Sequence, residues 1–283
     1  MTIRWILTSV LMVAFFSTPL SAQELTGTLQ QIKESGIIKI GYRGSQPPMS
    51  FLEKDEPVGY SIDLCNQIVK EVENVIGSDV TIKYVPVTSV ERFAALSDNK
   101  IDILCGATTK TISRGEIVDF TLLTFVTGAS FLTLDGANIR NRFDGKKIGV
   151  SKGTTTVEAL KKILEEAQTK AEVVLMDSSG ALKALESGEI DAFAADQVVL
   201  IGLALTSGTP EKYEVLSDLF SYEPFALAVR RNDADFRIVA DRVISDLYRS
   251  KKILTIFNRW FGQFSQGRSS AFEALILINS IPE

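Results

Sequence analysis

Three arginines, Arg43, Arg92 and Arg114, stand near the ends of predicted strands or the starts of predicted helices. A guanidinium holds a carboxylate by two parallel hydrogen bonds, so each is a candidate grip for an anionic group. Hydroxyls lie close to them in the sequence: Ser89 precedes Arg92, Thr108 and Thr109 precede Arg114, and Thr154 and Thr155 open a later helix. Backbone N–H groups at the helix starts after Thr88 and Gly153 also favour anions. Asp196 ends an apolar run, where an acid suits a ligand ammonium. Taken singly, each has a plain structural reading. An arginine at a helix start is an ordinary surface charge, Ser89 or Thr154 an ordinary N-cap, and Asp196 a cap for the helix after it. Their repeated placement at strand ends and helix starts, where open α/β sheets bind ligands, carries the weight. Together they describe a site for a small molecule with more than one negative group and one positive group.

Composition removes much other chemistry. The chain has 283 residues and no histidine. That excludes Ser-His-Asp and Cys-His catalysis and every His-ligated metal site. No catalytic residue, metal ligand or cofactor is expected. The formal charge is −5 without a long basic run, which is unsuited to nucleic acid, since neutralising phosphates needs clustered Lys and Arg. Hydrophobic residues at 45% and charged residues at 23% describe an ordinary folded chain.

Elements to position these residues follow from the pattern. Met1–Arg4, the apolar run Trp5–Phe16 and the small residues up to Ala22 read as a signal peptide, residues 1–22, cleaved after Ala22. The apolar run is shorter than the roughly 20 residues a membrane-spanning helix needs. Beyond it, strands alternate with helices. Strands are predicted at 37–41, 80–85, 101–105, 147–150, 171–176 and 191–195. Helices are predicted at 60–75, 89–96, 155–166, 181–187 and from 196 to about 205, with two more within 234–261. Such alternation implies βαβ units and largely parallel sheets. A faint internal echo supports two similar halves: Phe93–Asp102 and Leu182–Asp191 both read as helix, polar turn and a strand entered through Ile-Asp. Leu122–Thr133, broken by Gly128, and Tyr222–Val229 are extended runs that can cross between two lobes. Residues 23–126 and 224–283 would then form lobe 1, and 127–223 lobe 2. Cys65 and Cys105 both sit in apolar surroundings. Export permits a disulfide, and two buried thiols fit equally well.

The order of these segments resembles family 3 of the extracytoplasmic solute-binding proteins of ABC amino-acid importers, most of all its glutamate/aspartate-binding branch. The likeness is carried by Gly59–Leu64, Val87–Arg92, Ile101–Thr109 with Arg114, Ser151–Thr155 and Ile190–Asp196, and it covers nearly the whole chain after residue 22. It implies an α/β fold of the type II periplasmic binding protein kind. That fold has two lobes, each a mainly parallel sheet flanked by helices, with two crossover strands as hinge. It implies that Arg114 clamps the ligand α-carboxylate, assisted by Thr109 and Thr155, and that Asp196 takes the α-ammonium. It implies that Arg43 and Arg92 hold a side-chain carboxylate. Two positions depart from the branch pattern: Ala107 stands where serine is common, and near Asp177–Ser179, where a histidine is common, this chain has the serines Ser178 and Ser179. Ser178 still offers a neutral hydrogen bond. The implied protein is a periplasmic monomer that closes on an amino acid, with glutamate and aspartate first and their amides as further candidates, and docks on the membrane permease of an ABC transporter. Two other readings remain. One is a sensory module presenting its ligand to a receptor. The other is an enzyme on the same fold, dehydrating cyclic carboxylic acids. That enzyme needs a general acid in the cleft, and no extra carboxyl stands out, with Glu91 expected to face solvent.

Overall fold

The computed structural model describes residues 24–137, 139, 142–264 and 267–282. The expected signal peptide, residues 1–22, lies outside them. The chain enters through α1 (Gly27–Ser35) and β1 (Ile37–Tyr42), then makes a small antiparallel sheet from β2 (Ser45–Gln46), β3 (Ser50–Glu53) and β4 (Glu56–Val58). Next come α2 (Tyr60–Ile76), β5 (Thr81–Pro86), α3 (Arg92–Ser97), β6 (Ile103–Cys105) and β7 (Val118–Thr127). A second body follows from β8 (Ala129–Leu134), β9 (Lys147–Ser151), α4 (Thr155–Glu166), β10 (Glu172–Met176), α5 (Ala181–Glu186), β11 (Ala192–Asp196), α6 (Gln197–Thr206) and β12 (Tyr213–Val215). β13 (Glu223–Arg230) returns to the first body, and α7 (Ala234–Arg249), α8 (Ile253–Phe261) and α9 (Ser270–Ile278) finish the chain.

The two large sheets share one plan. Their strand orders are β5-β1-β6-β13-β7 and β10-β9-β11-β8-β12. In each, the first three strands are parallel, the fourth is antiparallel to them, and the fifth is antiparallel to the fourth. Four of the five strands therefore point one way. The internal echo has a physical basis in this plan. Asn99 and Gly188 both take a left-handed turn, with φ of 56° and 71°. The acid that follows then grips the neighbouring strand. Asp102 Oδ2 accepts the Lys39 N–H at 2.7 Å, and Asp191 Oδ2 accepts the Lys147 N–H at 2.8 Å.

The extended run 122–133 divides at Gly128 into β7 and β8, which belong to different sheets. The second run forms β13, paired with β7. These crossings press together: a Cβ on Gly128 would lie 2.4 Å from the Ser221 carbonyl oxygen, and the Ala129 N–H donates to Ser221 Oγ at 2.9 Å. Glycine is the residue that permits such an approach.

Apolar residues at 60, 64, 65, 68, 69, 72 and 76 put one buried stripe on α2, the spacing of a half-buried helix. Gly77, at φ 74°, ends it. α7 packs on α2 and β7, and α9 on β7. Phe125 on β7 is surrounded by Tyr60, Phe225, Phe257, Phe261 and Phe272, so the C-terminal helices are held on the first body by aromatic packing. Cys65 on α2 and Cys105 at the end of β6 form a disulfide, which resolves their state and ties α2 to the segment Gly106–Thr109. The helix expected from Ser89 begins at Arg92 instead. A turn over residues 89–91 precedes it, in which the Thr88 hydroxyl donates to the Glu91 carboxylate and accepts the Glu91 N–H, the contact of an N-cap.

Candidate functional site

The two bodies meet where their parallel strands end. Arg43 follows β1 and is only 2% exposed. Gly106 makes room for it, since a Cβ there would lie 3.1 Å from Arg43 Cγ. Arg92, 1% exposed, is the largest fully buried side chain among the described residues. It lies over the Phe93 ring and donates to the Gly153 carbonyl of the second body at 3.3 Å. Arg114 donates to the Thr109 carbonyl at 2.8 Å and to the Gly153 carbonyl at 3.4 Å. Asp196 ends β11, the third strand of the second sheet, as Cys105 ends the third strand of the first.

These four groups feel one another. Burial depresses the Arg92 pKa well below the usual guanidinium value, and repulsion from Arg114 and Arg43 adds to it, with Asp196 opposing. Burial also lowers Arg114, against the pull of Glu223 and Asp196. Arg43 is lowered by burial and partly restored by Asp177. Asp196 is pushed up to about 7, first by burial and then by Glu223, against the attraction of Arg92 and Arg114. Arg43 Nη1, Arg92 Nε and Asp196 Oδ1 are all buried with no hydrogen-bond partner in the protein. An unmet buried polar group costs about 1–3 kcal/mol, and a charged one more. The arrangement therefore favours a molecule that brings acceptors to the arginines and a donor to the acid.

The hydroxyls are used differently from the sequence expectation. Ser89 Oγ donates across the gap to the Lys152 carbonyl at 2.7 Å, and Thr154 Oγ1 turns back to the Ser151 carbonyl at 2.7 Å. Each hydroxyl proton is thereby committed to backbone. The Ala107 N–H is met by Gln46 Oε1 at 3.3 Å. Ser178 Oγ bonds Ser45 Oγ at 2.8 Å, a link between the bodies beside Arg43. Thr109 Oγ1 and Thr155 Oγ1, one from each body, both donate to Glu223 Oε2, at 2.5 and 2.7 Å. The Thr108 hydroxyl is buried without a partner.

Three residues here were not anticipated. Glu223, 1% exposed, heads β13 and also accepts from Ser221 Oγ at 2.6 Å. Asp177 accepts the Ser179 N–H and caps the turn that carries Ser178. Burial alone would raise its pKa, but the Ser179 bonds, Arg43 and Ser45 hold it below the usual value. Ser45 supplies the link to Ser178. The one sequence signal for Glu223 is an acid directly before the apolar run Pro224–Val229. Glu91 is exposed, as expected.

Residues 38–166 match the family model described as bacterial extracellular solute-binding proteins, family 3. The L-glutamate/L-aspartate-binding protein of Pseudomonas aeruginosa is 33% identical over 264 residues, covering 91% of this chain and 87% of that protein. The glutamate/aspartate import solute-binding protein of Salmonella typhimurium is 31% identical over 239 residues, covering 83% and 79%. The crystal structure of the ancestral amino acid-binding protein AncCDT-1, a precursor of cyclohexadienyl dehydratase, superposes with a TM-score of 0.72 at 25% identity, over 83% of this chain and 100% of that one.

Proposed function

Because the chain belongs to family 3 of the bacterial extracellular solute-binding proteins, we propose that its cleft captures an acidic amino acid, glutamate or aspartate, for an ABC importer. The observation that carries this reading is the set of partnerless buried atoms on Arg43, Arg92 and Asp196. On this reading Arg114 and the backbone N–H groups at the start of α4 hold the α-carboxylate. Asp196 takes the ammonium, and Arg43 and Arg92 hold the distal carboxylate. Ser178 and Ser45 close the distal end, while Ser89 and Gly153 join the bodies next to Arg92.

The contacts between the bodies describe a closed form. Neither body alone supplies the whole contact set, so a ligand spanning both favours closure. Closure strengthens charge-assisted bonds and makes an unpaired charge costly. An amide in place of the distal carboxylate leaves Arg43 or Arg92 short of an acceptor. We expect a Kd of order 1 μM or tighter, about −8 kcal/mol. The working protein is a periplasmic monomer that passes its ligand to a membrane permease.

Thermal-shift screening of the twenty amino acids tests this. Glutamate and aspartate should raise the Tm most. A response confined to basic or apolar amino acids would overturn the assignment. One observation favours a second reading: two buried carboxyls, Asp196 and Glu223, lie close enough to interact. An acid titrating near 7 is suited to general acid catalysis. Conversion of prephenate to an aromatic product would identify a dehydratase instead.

A further inference from the structure

Glu223 is outside the set of groups given to the ligand above, yet it is the most heavily engaged acid in the cleft. It heads the returning hinge strand and is 1% exposed. Three hydroxyls converge on it. Thr109 comes from the first body, Thr155 from the second and Ser221 from the crossing itself. The bonds of 2.5–2.7 Å are in the range of a hydroxyl donating to a carboxylate. A threonine hydroxyl has one proton. Once that proton points at Glu223, the same oxygen offers only lone pairs in other directions. The two threonine oxygens approach each other to 3.3 Å, so the pair forms one small acceptor surface. Arg114 and Asp196 are the charges that Glu223 influences inside the cleft. The groove on its outer side, a cavity of about 870 Å³, is lined by Lys110, Glu116, Asp119 and Arg237 as well.

We propose that Glu223 is the positioning residue for the ammonium end of the ligand. It draws the hydroxyl protons of Thr109 and Thr155 to the hinge, so that both oxygens accept from the ammonium beside Asp196. The arrangement needs a donor from each body and so is complete only when the bodies are closed. Thr109 and Thr155 then serve the ammonium rather than donating to the α-carboxylate. The inference rests on the amino-acid-binding reading given above.

The test is calorimetric titration with glutamate and with glutarate, which keeps both carboxylates and lacks the ammonium. Glu223→Ala should weaken glutamate roughly tenfold or more, the scale of a lost charge-assisted bond, and shift glutarate by less than about threefold. Glu223→Gln should restore glutamate binding to within about threefold at pH 8, because an amide oxygen accepts both threonine protons. Glu223→Gln should also move the acidic limb of the binding profile to lower pH. Glu223 helps hold Asp196 up near 7, while Arg92 and Arg114 pull the other way. That limb reads the charge of Glu223 on Asp196, while the selective loss of glutamate over glutarate reads the positioning of Thr109 and Thr155, which a merely structural role would not produce. Equal losses for glutamate and glutarate in Glu223→Ala overturn the proposal, and so does a Glu223→Gln protein that binds glutamate no better than Glu223→Ala. If Glu223→Ala does not fold, Thr155→Val carries the comparison, with the same selective loss of glutamate expected and an equal loss refuting it. Wild-type protein that binds no amino acid refutes the proposed function instead, and so separates the two failures.

Discussion

The contact between α6 and the turn after β2 makes a sharp test of closure. Gly202 on α6 lies so close to Pro47 that an added Cβ would sit 2.1 Å from the Pro47 carbonyl oxygen and 2.4 Å from its carbon. An ordinary carbon–oxygen contact is about 1 Å longer than this, so Gly202→Ala must hold the two bodies apart by about that much. A shift of that size breaks the 2.8 Å Ser45–Ser178 bond nearby and lengthens the 2.7 Å Ser89–Lys152 bond. At about 1 kcal/mol for each hydrogen bond, with some lost packing, closure loses about 2–3 kcal/mol. That corresponds to a Kd weaker by roughly 30- to 150-fold. The fold itself gains, because alanine is a better helix former than glycine by up to about 1 kcal/mol. Titration calorimetry and thermal unfolding of the ligand-free protein read the two effects separately. Weak binding with an unchanged or raised Tm is the expected pair. Wild-type affinity would show that this contact does not limit closure. A lowered Tm would show that it belongs to the fold rather than to the closed form.

Other outcomes follow from the same geometry. Arg92→Met removes a buried cation repelled by Arg43 and Arg114; glutamate affinity should fall roughly 10- to 150-fold, for a lost charged bond of about 1.5–3 kcal/mol, glutamine should lose less, and the ligand-free Tm should hold or rise. Asp196 must be ionised to pair with an ammonium, so glutamate affinity should fall as pH drops below about 7, by up to about tenfold per pH unit. The sign for the ligand-free closed form is opposite: a raised acid pKa favours that form below the ordinary carboxylate range, and the preference is lost as pH rises through about 7. Scattering measurements across that range should detect the more compact ligand-free protein at low pH. Replacing Cys65 and Cys105 by serine opens a loop spanning a sequence separation of 40. The expected cost is about 3–4 kcal/mol, seen as a Tm lower by roughly 8–15 °C; an unchanged Tm would refute it.

Much of the fold was legible because its signals are local. The apolar stripe of α2, the β-branched and apolar runs of β1, β9 and β11, and the punctuation by Gly77 and Gly128 each act within a few residues. Helix α4 has the predicted bounds, Thr155–Glu166. What escaped has weaker local signals. Strands β2 to β4 are two to four residues long, too short for a period of two to show. Helix α1 buries only Thr28, Leu29 and Ile32 and is tied down by Asp233 from far along the chain, which accepts the Thr28 N–H at 3.0 Å. Arg43, Arg92, Arg114 and Asp196 were legible from their places at strand ends and helix starts, a rule of topology; Glu223 and Asp177 were not. The hydroxyls were not, because a hydroxyl goes to the nearest acceptor. Thr154 finds Ser151, Ser89 finds Lys152, and Thr109 and Thr155 find Glu223. No spacing in the sequence places Glu223 beside residues 114 and 68 positions away.

A crystal structure with glutamate bound tests the central claim most directly. The distal carboxylate should lie on Arg43 and Arg92, the α-carboxylate on Arg114, and the ammonium on Asp196. Glutamate bound elsewhere, or seated with its ammonium toward the arginines and a carboxylate toward Asp196, would contradict the account.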